Sequence, residues 1–299
     1  MLKKSKKKKV KAVKLAKANI RIKTITVPAT SVPVQLPVPS VATIGALPTL
    51  VDTLLSIEGN RVGAQNRITH IAKHAKEDPE TEEVFRRLVQ IEDYLTKRIG
   101  DYVKVHPAYP WYSRVKGIGL ENIAKVVGLV DINKCPHVSS LWQFAGYGKD
   151  KETGETQRRE KGKKLSYCSQ LRMTCWRLGS SLLRANGKFK EYYDKEKEIL
   201  VQRFTNEGKK IVPSAELPKV NGKHVENDKV IAEGHIHAMA FRKMIKLFLQ
   251  FLWLEWRKGV NLPVSEPYAI GKLGHQHLLK PEEFCDKVTE SIDREPKEN

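Results

Sequence analysis

Leu54, Ile57, Arg61, Ala64, Ile68 and Ile71 succeed one another in alternating steps of three and four residues, and beyond "EDPET" the same steps carry Val84, Leu88, Ile91, Leu95 and Arg98/Ile99. Such steps hold side chains on one face of a helix. Asp78-Pro79, between the two runs, makes a turn and a favourable helix start. The spacing therefore predicts two helices within residues 49–105, folded back as an antiparallel, coiled-coil-like hairpin rather than drawn out as one rod. A hairpin of this kind serves either ordinary bundle packing or a dimerising coiled coil, and a homo-oligomer formed through it is expected.

Upstream the composition changes sharply. Met1 to Lys23 holds ten lysines and Arg21 with no acid. Thr24 to Pro48 is free of charge and rich in Val and Pro, which argues against a helix or a central strand. Residues 1–48 are expected to form a basic, disordered arm whose second half is an extended linker. The whole chain carries 54 Lys and Arg against 34 Asp and Glu, a formal charge of +20. That balance favours a polyanionic partner through counterion release. With 40% hydrophobic and 29% charged residues the remainder reads as globular.

No apolar stretch approaches the ~18 residues of a membrane span, and the basic start lacks the apolar run of a signal peptide. A soluble, cytoplasmic and nucleoid-associated protein is expected, without a membrane partner. Cys135, Cys168, Cys175 and Cys285 form no Cys-x-x-Cys pair and suit reduced thiols.

"HPAYPWYSRV" (His106 to Val115) marks a boundary, after which a second unit over residues 106–258 is expected. It opens with "VKGIGLENIAKVVGLV". Val115, Gly117-Ile118-Gly119, Ile123-Ala124 and Val126-Val127 fit a helix-hairpin-helix, in which glycines allow a tight turn and let backbone N–H groups approach a phosphate. Lys116, Gly117 and Gly119 are candidate backbone contacts that position without reading bases. A plain glycine turn between packed helices is the competing reading. "HVSSLWQFAGYG" reads as a short helix ending on glycine. The loop after it holds Lys149, Lys151, Arg158, Arg159, Lys161, Lys163 and Lys164 beside four acids, and is either a solvated hairpin or a second phosphate contact.

A helix over Leu165–Asn186 is predicted by Leu171, Leu178 and Leu182 on one side and Arg172 and Arg184 on another, with "NG" as its stop. Lys188–Phe204 reads as a solvent-facing helix, "NEGKKIVPSAELPKVNGKHVEND" as a loop, and Ile231–Trp256 as the helix that closes the core. The end, residues 259–299, reads as irregular. The fold class is mainly α.

Taken in order, "VKGIG", "LWQFAGYG", the basic Gly-containing loop and "LRMTCWRLGSSLLRANGKFKEYYDKEKE" resemble the C-terminal domain of the IS-one-ten-type insertion-sequence transposases, and the helical pair at Leu50–Tyr102 resembles the coiled-coil hairpin before that domain. The resemblance implies RNA-guided DNA recombination by two catalytic parts, a RuvC-like nuclease fold with acidic metal ligands and a serine nucleophile. A two-metal site needs clustered carboxylates, yet the first acidic residue is Asp52, so the nuclease part is expected to be absent. For the nucleophile, Ser166 beside Lys163 and Lys164 is best placed and Thr153 is the second candidate, since phosphodiester attack needs a hydroxyl near cationic clamps. Ser166 as a plain helix-start serine is the alternative. Thr156 and Ser169 are further hydroxyls in the same stretch.

His235 with His237, His275 with His277, and Cys135-Pro-His137 with Cys168 lack the spacing of a closed metal site, so neither metal nor cofactor is expected. Three functions follow: a DNA-binding relative of the transposases acting in transposition or recombination; a divergent recombinase working with a partner nuclease or a structured guide RNA; or a basic scaffold that coats RNA or DNA through Lys3–Lys23. The first is preferred. Its phosphate contacts are assigned to Lys116, Gly117, Gly119, Arg158, Arg159, Lys163, Lys164 and Arg172.

Overall fold

The computed structural model describes residues 38–74, 77–150, 154–159, 161–264 and 279–286. The lysine-rich arm, most of the Pro/Val segment, Lys151 and Thr153 lie outside the described residues. The chain is mainly α-helical, as expected.

The helical pair comes first. A 3-10 turn, Val41–Ala46, runs into α1, Leu47–Ala72, with Pro48 in its first turn. The stretch read as extended linker therefore ends by Ser40, because proline is tolerated in a first turn, where its missing N–H has no partner to lose. Helix α2 spans Pro79–Lys104, and its N-cap Asp78 accepts from the Thr81 N–H at 3.1 Å. Ion pairs Arg61–Glu92 and Arg67–Asp78 cross between the helices in antiparallel register. The buried seam is confined to the end away from the turn: Leu47, Val51 and Leu54 meet Leu95, Ile99 and Tyr102. Val84 and Ile91, assigned to the inner stripe by spacing, instead face solvent at 51% and 44% exposure.

Helix α3, Tyr109–Tyr112, buries Trp111 and Tyr112. After the glycine turn, α4 covers Leu120–Leu129, and α5 covers Val138–Phe144. Helix α6 spans Ser169–Ala185 and buries Leu171, Leu178 and Leu182, with Asn186 in the left-handed region (φ 55°) ending it. It starts later than Leu165, because its first turn is capped by the Cys168 Sγ. Helix α7, Lys188–Asn206, is not simply solvent-facing: Phe189, Tyr193, Leu200 and Phe204 are buried.

The stretch read as one loop carries short strands. β1 (Lys210–Val212) and β4 (Val230–Ala232) pair in parallel, while β2 (Lys219–Val220) and β3 (Lys223–His224) pair antiparallel. Helix α8, Glu233–Gly259, follows β4 directly and is buried along nearly its whole length. The last described stretch is not irregular throughout. A 3-10 turn, Pro281–Phe284, sets Phe284 against Phe189 and Phe251, and the Trp111 Nε1 donates to the Pro281 carbonyl at 3.0 Å. Residues of the hairpin, α4, α6, α7 and α8 join one hydrophobic cluster. Within it the fully buried Lys125 ammonium on α4 bonds Glu58 of α1 and, at 2.6 Å, Glu121 one turn back.

Candidate nucleic-acid interface

The glycine turn separates its two glycines by role. Gly117 has φ +92°, and a Cβ there would lie 2.6 Å from the Ala185 Cβ and 3.0 Å from the Ser181 carbonyl. Its missing side chain is thus used to bring the turn against α6. Gly119 is different: it is the N-cap of α4, it is exposed, no side chain caps the helix, and a Cβ would meet nothing within 4 Å. The first N–H groups of a helix have no intrahelical partner, so the approach to α4 is open at Gly119. Lys116 is exposed, but its backbone N–H is already taken by the Asp286 Oδ2 at 2.8 Å, while Oδ1 accepts from the Lys188 N–H at 3.0 Å.

The basic loop folds back through a bridge between Lys149 and Thr156. Arg158, Arg159, Lys161, Lys163 and Lys164 are exposed on it, with Arg158 paired to Glu155. Buried Gln157 ties the loop down: its carbonyl accepts from Arg172 Nη1 at 2.9 Å and its Nε2 donates to the Ser166 Oγ at 3.1 Å. Ser166 is exposed, is joined to Arg172 through this one residue, and does not cap α6, whose N-cap is Cys168.

Between this loop and the N-terminal halves of α6 and α8 lies a cleft of about 970 Å³. Gly146 in "FAGYG" helps to build it. At φ +75° it packs where a Cβ would come 2.8 Å from the Tyr167 ring and 3.0 Å from Arg172 Cδ, so the motif sets these two side chains against the turn. Arg172 lies over the Tyr167 ring, 4.9 Å from its centroid. Arg242 from α8 faces it and bonds the Thr156 hydroxyl. Trp176, one turn after Arg172, is 47% exposed and packs against Phe241, ring centroids 4.3 Å apart and tilted at 57°.

The electrostatics of this end are one-sided. Burial, and then the Arg172 charge, draws the Arg242 pKa down. Burial, then Arg242 and Lys149, lowers that of Lys246, whose ammonium sits 4.0 Å from the Trp142 ring centroid. Among the described residues none of Arg172, Arg242 and Lys246 has a salt-bridge partner. Glu155, on the cleft wall, pairs with Arg158. Cations gathered in this way and partly out of water attract anions more strongly than dispersed, solvated ones.

Arg158 and Arg172 thus line the cleft, and Arg159, Lys163 and Lys164 lie on the loop that borders it. Lys116, Gly117 and Gly119 lie at the other end of α6. Arg172 and Leu182 are ten positions apart on that helix, about 15 Å at its rise per residue. Trp176, Arg242 and Lys246 were not among the expected site residues. Trp176 had a signal, standing one helical turn from Arg172 on the face opposite Leu171, Leu178 and Leu182. His237 bonds the Tyr193 hydroxyl at 2.6 Å and His235 bonds Glu226 at 2.6 Å, while His275 and His277 lie outside the described residues. The chain matches no protein-family model, no curated protein and no solved structure.

Proposed function

We propose that this protein binds nucleic acid by its phosphate backbone and acts in DNA transposition or recombination, with DNA as its main partner and a structured guide RNA as a second. The observation that carries the binding is the group formed by Arg172, Arg242 and Lys246 beside the exposed Arg158, Arg159, Lys163 and Lys164. The transposase part of the reading rests on the ordered motifs, in which "FAGYG", the basic loop and α6 meet at one cleft. Gly119 at the α4 N-terminus supplies a second contact at the far end of α6. Self-association through the hairpin fits the exposed Val84, Ile91 and Tyr94 of α2, spaced as positions of a heptad seam.

Replacing Arg158, Arg159, Lys163 and Lys164 together by Gln tests the binding. Each lost phosphate contact lowers the slope of log K against log salt by about one, so the variant should show a shallower slope on duplex DNA. An unchanged slope contradicts the assignment. For the chemistry, a covalent protein–DNA adduct abolished by Ser166→Ala, or by Thr153→Ala, would mark a hydroxyl nucleophile.

A further inference from the structure

Resting on the phosphate-binding reading, the geometry points to a more specific occupant of the cleft: an unpaired nucleotide of a single-stranded nucleic acid, its base stacked on Trp176 and its phosphate held between Arg172 and Arg242.

A duplex backbone is recognised by cations and hydrogen-bond donors. This cleft adds an apolar wall that such a task does not need. Met173 and Trp176 are 44% and 47% exposed on α6, although both lie within a turn or so of Arg172. The Trp176 indole packs against the Phe241 ring, with centroids 4.3 Å apart and planes tilted at 57°, while 47% of the residue stays exposed on the cleft wall. Met239 on α8 extends the apolar surface, and Arg242 follows it by three residues on the same helix face. The indole of Trp176 and the guanidinium of Arg242 thus line the same cleft.

Stacking on an aromatic plane combined with a cationic groove is how single strands are bound without sequence preference, since every base has a π-face. Within a duplex both faces of each internal base are already stacked, so Trp176 has nothing to receive there. The volume of about 970 Å³ lies at the upper end of the ~300–1,000 Å³ range of small-molecule sites, room for a nucleotide and its flanking phosphates.

The test compares the full chain with Trp176→Ala, Trp176→Phe and Arg242→Gln, titrated with a short single-stranded oligonucleotide, a duplex of the same length, and a nucleoside monophosphate. Loss of one stacked base should weaken single-strand binding about 10-fold or more in Trp176→Ala. Duplex binding should change less than about twofold. Trp176→Phe, which keeps a ring, should recover most of the loss, and this recovery separates stacking from a folding defect. Arg242→Gln should weaken the single strand and make its salt dependence shallower by about one. Equal losses on single strand and duplex, or no loss on either, overturn the proposal. A monophosphate bound as tightly as the oligonucleotide also overturns it, in favour of a free nucleotide. If the unaltered chain binds neither polymer, the phosphate-binding reading itself fails.

Discussion

Gly117 lies so close to Ala185 that an added Cβ would stand 2.6 Å from the Ala185 Cβ, and its φ of +92° is one that side-chain-bearing residues rarely adopt. Gly117→Ala combines the left-handed penalty with overpacking, roughly 2–4 kcal/mol of lost stability. Gly119→Ala, with open space at its Cβ, should cost less than about 1 kcal/mol as an N-cap change. Chemical denaturation of both variants checks the contrast. Similar losses would show that the two glycines do not divide the roles of packing and access.

Among the described residues Lys125 is the one lysine buried in the core, and it joins α4 to α1 through Glu58. Removing a buried partner leaves the other charge uncompensated. Glu58 is 18% exposed, so water relieves part of the cost, and Lys125→Ala should destabilise by about 2–3 kcal/mol, below the ~3–5 of a fully enclosed pair. Glu121→Ala, on the exposed side of the same ammonium, should cost under about 1 kcal/mol. Thermal or urea unfolding measures both.

His106 is 2% exposed, its Nδ1 accepts from the Ala108 N–H at 3.1 Å, and burial lowers its pKa to about 3. Below the ordinary value of 6.5 the unfolded chain takes up a proton that the folded chain refuses. The ring's contribution is therefore complete above pH 6.5 and is lost as pH falls toward 3, at up to about 1.4 kcal/mol per pH unit. His106→Asn, which offers an acceptor oxygen near the Nδ1 position, should show a flatter stability profile between pH 6.5 and 4.5. Parallel profiles for the two proteins would mean that His106 is protonated in the fold.

Asp286 fastens the last described segment to two backbone amides, those of Lys116 and Lys188. Hydrogen bonds to a charged acceptor contribute about 1.5–3 kcal/mol each when measured by removal. Both amides lie near solvent, so Asp286→Ala should cost about 2 kcal/mol in all. Faster hydrogen exchange at Lys116 and Lys188 is the local signature, and exchange unchanged at both sites would contradict the clamp.

The long helices were legible because their buried residues repeat with the helical period: Leu54 on α1, Leu95 and Ile99 on α2, and Leu171, Leu178 and Leu182 on α6. On α2 the spacing points to Val84 and Ile91 as inner residues, yet both are exposed, because apolar residues stand on two of its faces and spacing cannot say which face meets α1. The four strands, of two or three residues each, are too short for alternation to show. Lys125 carried a local hint, a lysine among apolar neighbours with Glu121 one turn before it, but Glu58 lies far away in sequence. The cleft was half legible. Arg158 and Arg172 belong to a basic loop and to a helix face that the spacing defines. Arg242 and Lys246 reach the same place only because α8 packs beside α5 and α6, a pairing that no local pattern encodes.

The most direct test of backbone binding by the folded unit is a salt titration on duplex DNA and on structured RNA, comparing the full chain with one that starts at Thr24 and so lacks the ten lysines of Met1–Lys23. The shortened chain should still bind, with a clear negative slope of log K against log salt that becomes shallower when Arg158, Arg159, Lys163 and Lys164 are neutralised. Binding that disappears with the arm would contradict the account and assign the nucleic-acid contact to Lys3–Lys23 alone.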